Sequence, residues 1–186
     1  FNAGQKPLAD VAEIVKQASG GSITKTLKNK GYDTTEVKIT QQNLNSDPAL
    51  KNALFNIQSL YKKAVEDIAK NKKKDFTYDI GSSANFFAER NNVNALVLTR
   101  QVATRLSDGV VASQVASTAA SVATVLLTGV AIGGGMTAKY TLLTEIAIVD
   151  ADLGDILWYN LGQTNEDYTK RENSKPIDIM IENILK

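Results

Sequence analysis

KYTLLTEIAIVDADLGDILWYN, running from Lys139 to Asn160, is the stretch on which the fold turns. Tyr140, Leu142, Ile146 and Ile148 fall on one parity, the period of a strand with an apolar face. The run Asp150-Ala151-Asp152-Leu153-Gly154-Asp155 then supplies turn residues, and Ile156-Leu157-Trp158-Tyr159-Asn160 reads as the returning strand. A β-hairpin is therefore expected here, followed by a polar loop from Gln163 to Lys175. Pro176 opens a final helix whose Ile177, Ile181, Ile184 and Leu185 face a core.

Working back from the hairpin, the chain is uncharged from Gly109 to Ala138 and rich in Ala, Ser, Thr, Val and Gly. Before it, Asn94 to Leu106 begins with the nearly continuous apolar run Ala95-Leu96-Val97-Leu98, as a buried central strand would. Ser82 to Asn92 reads as a short helix with Phe86 and Phe87 as core anchors and Asn91-Asn92 as terminator. Ser46-Asp47-Pro48 caps a longer helix whose stripe is Leu50, Leu54, Ile57, Tyr61, Ala64 and Ile68. Lys70, Lys72, Lys73 and Lys74 close that helix, where cations complement its dipole. Tyr32 to Thr40, with Val37 and Ile39 alternating against polar residues, reads as a strand. Ser22 caps a short helix over Ile23 to Lys30 with Gly31 just past its end. Leu8 to Lys16 fits helical and alternating spacing equally well.

The expected fold is thus α/β: a small mixed sheet of four or five strands packed with helices, ending in a β-hairpin and a terminal helix. At 186 residues, with 43% hydrophobic and 22% charged, the chain suits one domain over 1–186, carrying an insertion at 109–138. A net charge of +1 gives no global pull towards nucleic acid or membrane. There is no His and no Cys, which removes imidazole, thiolate and disulfides from the available chemistry. Only carboxylate, Lys, Ser/Thr or Tyr chemistry is left to an enzyme. The sequence begins at Phe1 without Met or an apolar signal segment, as a mature or trimmed chain would.

Each candidate site has a plainer structural explanation. Asp150, Asp152 and Asp155 resemble the opening of a calcium loop but lack its later ligands, and a hairpin turn explains them. Ser19-Gly20-Gly21-Ser22 offers backbone N–H groups to an anion but lacks the Lys and spacing of a phosphate loop, so a connector with a helix cap is expected. Gly133-Gly134-Gly135 precedes a strand, the wrong order for dinucleotide binding, and fits a sharp reversal. Glu66 and Asp67 are neighbours in sequence only. The lysine cluster at 70–74 is a solvated helix end, with an anionic lipid or polyanion contact as the alternative; no aromatics are interleaved for base stacking, and no nucleic-acid partner is expected.

The uncharged segment allows three readings. Val111, Val115, Val122, Leu126 and Val130 share a helix face, so the first is a buried or half-buried crossover helix between two strands. The second uses Ala112, Ala116, Ala119, Ala120 and Ala123 as a close-packing surface for a partner helix. The third is membrane entry, for which about 20 residues suffice but which its Ser, Thr and Gln oppose. Val111, Val115, Val122 and Leu126 are the candidate interaction residues.

Leu27-Lys28-Asn29-Lys30-Gly31-Tyr32, Asn94-Ala95-Leu96-Val97-Leu98 and Ile148 to Trp158 together resemble bacterial cell-envelope lipoproteins. That family is related in fold to the curli secretion channel subunit and to the N-terminal domain of the Tol-system translocation protein. The resemblance spans Ser22 to Lys186, and its Val-Asp-x-x-x-Gly-x-Ile-Leu-Trp hairpin also occurs in β-propeller blades. It implies a small α/β sandwich facing the periplasm, anchored to the outer membrane by a lipidated N-terminal Cys, often oligomeric and without catalytic residues. The sequence departs from it in lacking that Cys. Pore formation is not carried over, because Gly109 to Ala138 lacks the alternation of barrel strands. The function expected is a non-enzymatic envelope lipoprotein domain working through a protein partner or homo-oligomer in envelope assembly or maintenance, without cofactor or metal. The competing expectations are a small-ligand binding module and a hydrolase or transferase using Lys/Ser or carboxylate chemistry.

Overall fold

The computed structural model describes residues 9–71, 78–105, 139–169 and 174–186. Lys72 to Lys74, Gly133 to Gly135 and the candidate interaction residues Val111, Val115, Val122 and Leu126 lie outside the described residues.

The ambiguity at Leu8 to Lys16 resolves as helix: α1 spans Ala9–Asn29. It runs straight through Gly20-Gly21, so the connector expected there is absent. Each mid-helix glycine costs about 1 kcal/mol relative to Ala, but the buried stripe Val11, Val15, Ser19, Ser22, Ile23 and Leu27 continues in helical register across them. Packing of that stripe outweighs local propensity. The helix stops as expected, with Tyr32 N–H donating to Leu27 C=O and Gly31 N–H to Lys28 C=O around a left-handed Gly31.

Residues 32–40 form no strand. Their β-branched alternation is that of extended backbone, but they have no ladder partner among the described residues, and Val37 is exposed while Ile39 packs sideways on the core. A short α2 (Gln41–Ser46) follows, its N-terminus closed by a reciprocal Thr40–Asn43 capping box. In α3 (Pro48–Asn71) the Asp47 carboxylate accepts from Leu50 N–H. Leu50, Ile57, Tyr61 and Ala64 of the expected stripe are buried, whereas Leu54 and Ile68 are half-buried. The α4 helix (Ser83–Asn91) buries Phe87 and half-buries Phe86, and ends on Asn92 in the left-handed region at φ 52°.

Three strands follow: β1 (Ala95–Arg105), β2 (Tyr140–Asp150) and β3 (Ile156–Thr164), ordered β1-β2-β3 and antiparallel throughout. The expected mixed sheet of four or five strands is thus a three-stranded antiparallel one among the described residues, joined by an isolated Asp79–Asp155 bridge. Its central strand is β2; β1, expected there, pairs among the described residues with β2 alone. An apolar run in β1 is explained by half-coverage under α4 rather than by two strand neighbours. The β2–β3 hairpin is as expected, and α5 (Lys175–Ile184) ends the chain with Ile177, Ile181, Ile184 and Leu185 all buried.

Helices cover both faces of the sheet. Leu142 and Ile146 pack with α1, α5 and Tyr168, while Ala147, Val149, Leu96 and Ile156 pack with α3 and α4. Because β2 alternates between two covered faces, its residues are all buried or half-buried, unlike the one-sided strand its parity implies.

Arg105 and Tyr140 are direct partners in the β1–β2 ladder. The last residue of β1 and the first of β2 therefore lie side by side at one end of the sheet. The crossover helix expected for Gly109 to Ala138 lies outside the described residues.

Candidate functional site

In the middle of β2 stands an acid, Glu145, whose neighbours Ala147 and Val149 on the same face belong to the α3/α4 core. The register sets Arg100 of β1 directly opposite, and Tyr159 of β3 one step along on the same face, opposite Ala147. From above, α3 brings Tyr61, the middle of its buried stripe. Four polar side chains thus meet in the layer between α3 and the sheet.

Arg100 Nη1 stands 3.5 Å from Glu145 Oε2, an ion-pair distance, and the two side chains are 18% and 2% exposed. Neither Glu145 oxygen makes a hydrogen bond, and neither does Tyr61 Oη, among the described residues. Burial raises the Glu145 carboxyl above its ordinary value, and Arg100 pulls it back only in part. Burial first, and the Glu145 charge second, push the Tyr61 and Tyr159 phenols well above their ordinary value, so both stay neutral.

A carboxylate, a guanidinium and two phenols are acid–base groups, but a carboxylate 2% exposed touches no solute while α3 is in place. The opposite face shows the satisfied counterpart: Gln101 Nε2 donates to Ser19 Oγ and to Thr144 Oγ1, tying α1 to both strands. Sequence reasoning passed over Glu145 and Arg100. The available signal was a charge in the middle of each of two strands, Arg100 in β1 and Glu145 in β2, flanked on both sides by uncharged residues.

The sites considered from sequence are not brought together. Asp150 Oδ1 accepts from the N–H groups of Asp152 and Leu153, at 2.9 Å each, and so builds the turn. No group of three or more acidic residues is placed to hold a metal among the described residues. The N–H groups of Gly20, Gly21 and Ser22 lie inside α1, committed to its ladder. Gly20, Gly21, Thr24, Lys25 and Lys28 instead line a groove of about 570 Å³ against Thr34 and Glu36. Glu66 pairs with Lys62 on α3, at 3.9 Å. No helix among the described residues is long and apolar enough to cross a membrane.

Helices on both faces of a three-stranded antiparallel sheet define the class as an α/β domain. Comparison with protein families, characterised proteins and solved structures gives no match to the chain.

Proposed function

We propose that this chain is a non-enzymatic interaction domain of the bacterial cell envelope: a periplasm-facing lipoprotein, anchored at the outer membrane, that serves envelope assembly or maintenance by binding a protein partner or a second copy of itself. The observation that carries the reading is the pairing of Arg105 with Tyr140. It sets the end of β1 beside the start of β2, so the ladder between these strands is made by their own residues, Ala95–Arg105 and Tyr140–Asp150. A segment without charge, His or Cys supplies contact surface rather than chemistry. The inaccessibility of Glu145 supports binding over catalysis.

Light scattering after size exclusion tests this on three forms: the chain as it stands, V115S/V122S/L126S, and a form with residues 107–138 replaced by Asn-Gly, a two-residue turn that joins antiparallel neighbours. The expected result is a defined oligomer that both changes abolish while circular dichroism keeps the folded signature. A monomer in all three forms refutes self-association through the segment, and loss of the fold in the Asn-Gly form refutes its independence from the core. A second reading, a small-ligand module, draws on the groove beside α1. Its mark would be a ligand-dependent rise in Tm that K25A/K28A removes.

A further inference from the structure

The closed packing of α3 on the sheet encloses a carboxylate that no hydrogen-bond donor satisfies. Glu145 is 1% exposed, on the middle strand, with both oxygens lacking hydrogen bonds among the described residues. Burying an anion without hydrogen bonds is costly even beside an opposite charge, because lost hydration is recovered only by good geometry. Arg100 at 3.5 Å is aligned for an ion pair but not for a hydrogen bond to either oxygen. The groups facing Glu145 are Arg100 from β1, Tyr159 from β3 and Tyr61 from α3. On α3 and α4, Lys62 pairs with Glu66, Arg90 pairs with Asp47, and Glu89 is exposed. Both phenols are neutral, so the proton that sets the charge of this layer is the one on Glu145.

We propose that Glu145 is a proton-operated latch for α3: neutral, it fits the closed packing seen here, and charged, it draws water into the layer and loosens α3 from the sheet. The route for that water is the β1 side, where Arg100 is 18% exposed and gives the polar layer its contact with solvent. Loosening α3 would uncover Ile57, Ala64 and Val65 together with Ala147 and Val149 of the sheet, an apolar surface of the kind a partner protein covers.

The sign follows from linkage. A carboxyl raised in the folded state favours the closed form below its ordinary value of 4.5, and this advantage is lost as pH climbs to the raised value. Over that window, one linked proton changes the opening equilibrium by up to about tenfold per pH unit. Hydrogen exchange of α3 amides, corrected for intrinsic rates and read from pH 4 to pH 9, is the test. Protection of Ile57 to Val65 should fall with pH in the natural chain and stay flat in E145Q, which keeps the shape without the charge. R100Q should enlarge the fall, since it removes the Arg100 charge that pulls the carboxyl back down. Parallel profiles for the natural chain and E145Q overturn the proposal, as does lower protection in E145Q at every pH. Should E145Q not fold, carbon NMR of the Glu145 carboxyl in the natural chain decides: titration at or below 4.5 overturns the latch.

Discussion

Replacing Gly154 by Ala tests how the hairpin turn is seated. Gly154 sits at φ 82°, and a Cβ built there would stand 2.6 Å from Asp79 Oδ1, 2.8 Å from Gly81 C=O and 3.0 Å from Gly81 N. Two costs add. A left-handed non-glycine residue costs about 1–2 kcal/mol, and forcing a methyl group into filled space costs about 1–3 kcal/mol more. The second is hard to relieve, because two of the three obstructing atoms are backbone, held where Ile80 N–H donates to Gly154 C=O and Ile156 N–H to Tyr78 C=O. Gly31 is the internal control: its φ is 88°, but nothing lies within 4 Å of its Cβ position. Urea unfolding followed by circular dichroism should therefore give about 2–5 kcal/mol lost for G154A and about 1–2 kcal/mol for G31A. In a chain of this size each kcal/mol corresponds to about 2–4 °C in Tm. Equal losses in the two variants would refute the docking of residues 78–81 onto the turn.

Two further outcomes follow from other contacts. G162A should cost about 1–3 kcal/mol, because its Cβ would come 2.6 and 2.8 Å from Ile184 side-chain carbons; I184A should lessen that cost in the double variant, read as a non-additive term in a double-mutant cycle of unfolding free energies. Asp47 is held below its ordinary 3.8 by the Leu50 N–H first and Arg90 second. Its stabilising effect is therefore present above that value and lost as pH falls through the depressed one. D47A should lower Tm at neutral pH, and scanning calorimetry should show the gap to the natural chain closing in acid.

The elements legible in the sequence are those whose local signals agree with their surroundings. The Asp47-Pro48 cap and its stripe gave α3, Asn92 gave the end of α4, and the turn from Asp150 to Asp155 gave the hairpin. Where packing overrides local chemistry, the reading failed. Gly20-Gly21 marks a break by propensity, yet Ser19 and Ser22 are small enough to let α1 lie against the sheet, and that contact carries the helix through. Val37 and Ile39 specify extended backbone, but a strand also needs a neighbour, which the spacing of one segment does not reveal. The site was hidden for a related reason. Glu145 falls on the parity that a one-sided strand turns to water, and only the layer of α3 above it makes it a buried charge.

The pairing of Arg105 with Tyr140 also bears on the order in which the chain assembles. Strands β2 and β3 are joined by a short turn, so their ladder closes locally. The β1–β2 ladder joins strands that are neighbours in space, but its pairs, from Arg105–Tyr140 to Ala95–Asp150, are distant along the chain. Closing so long a loop is an entropic cost met before any pairing rewards it, and such contacts slow folding. The β2–β3 hairpin with α5 should form first and β1 should dock late, bringing Arg100 to a Glu145 that until then lies open to water.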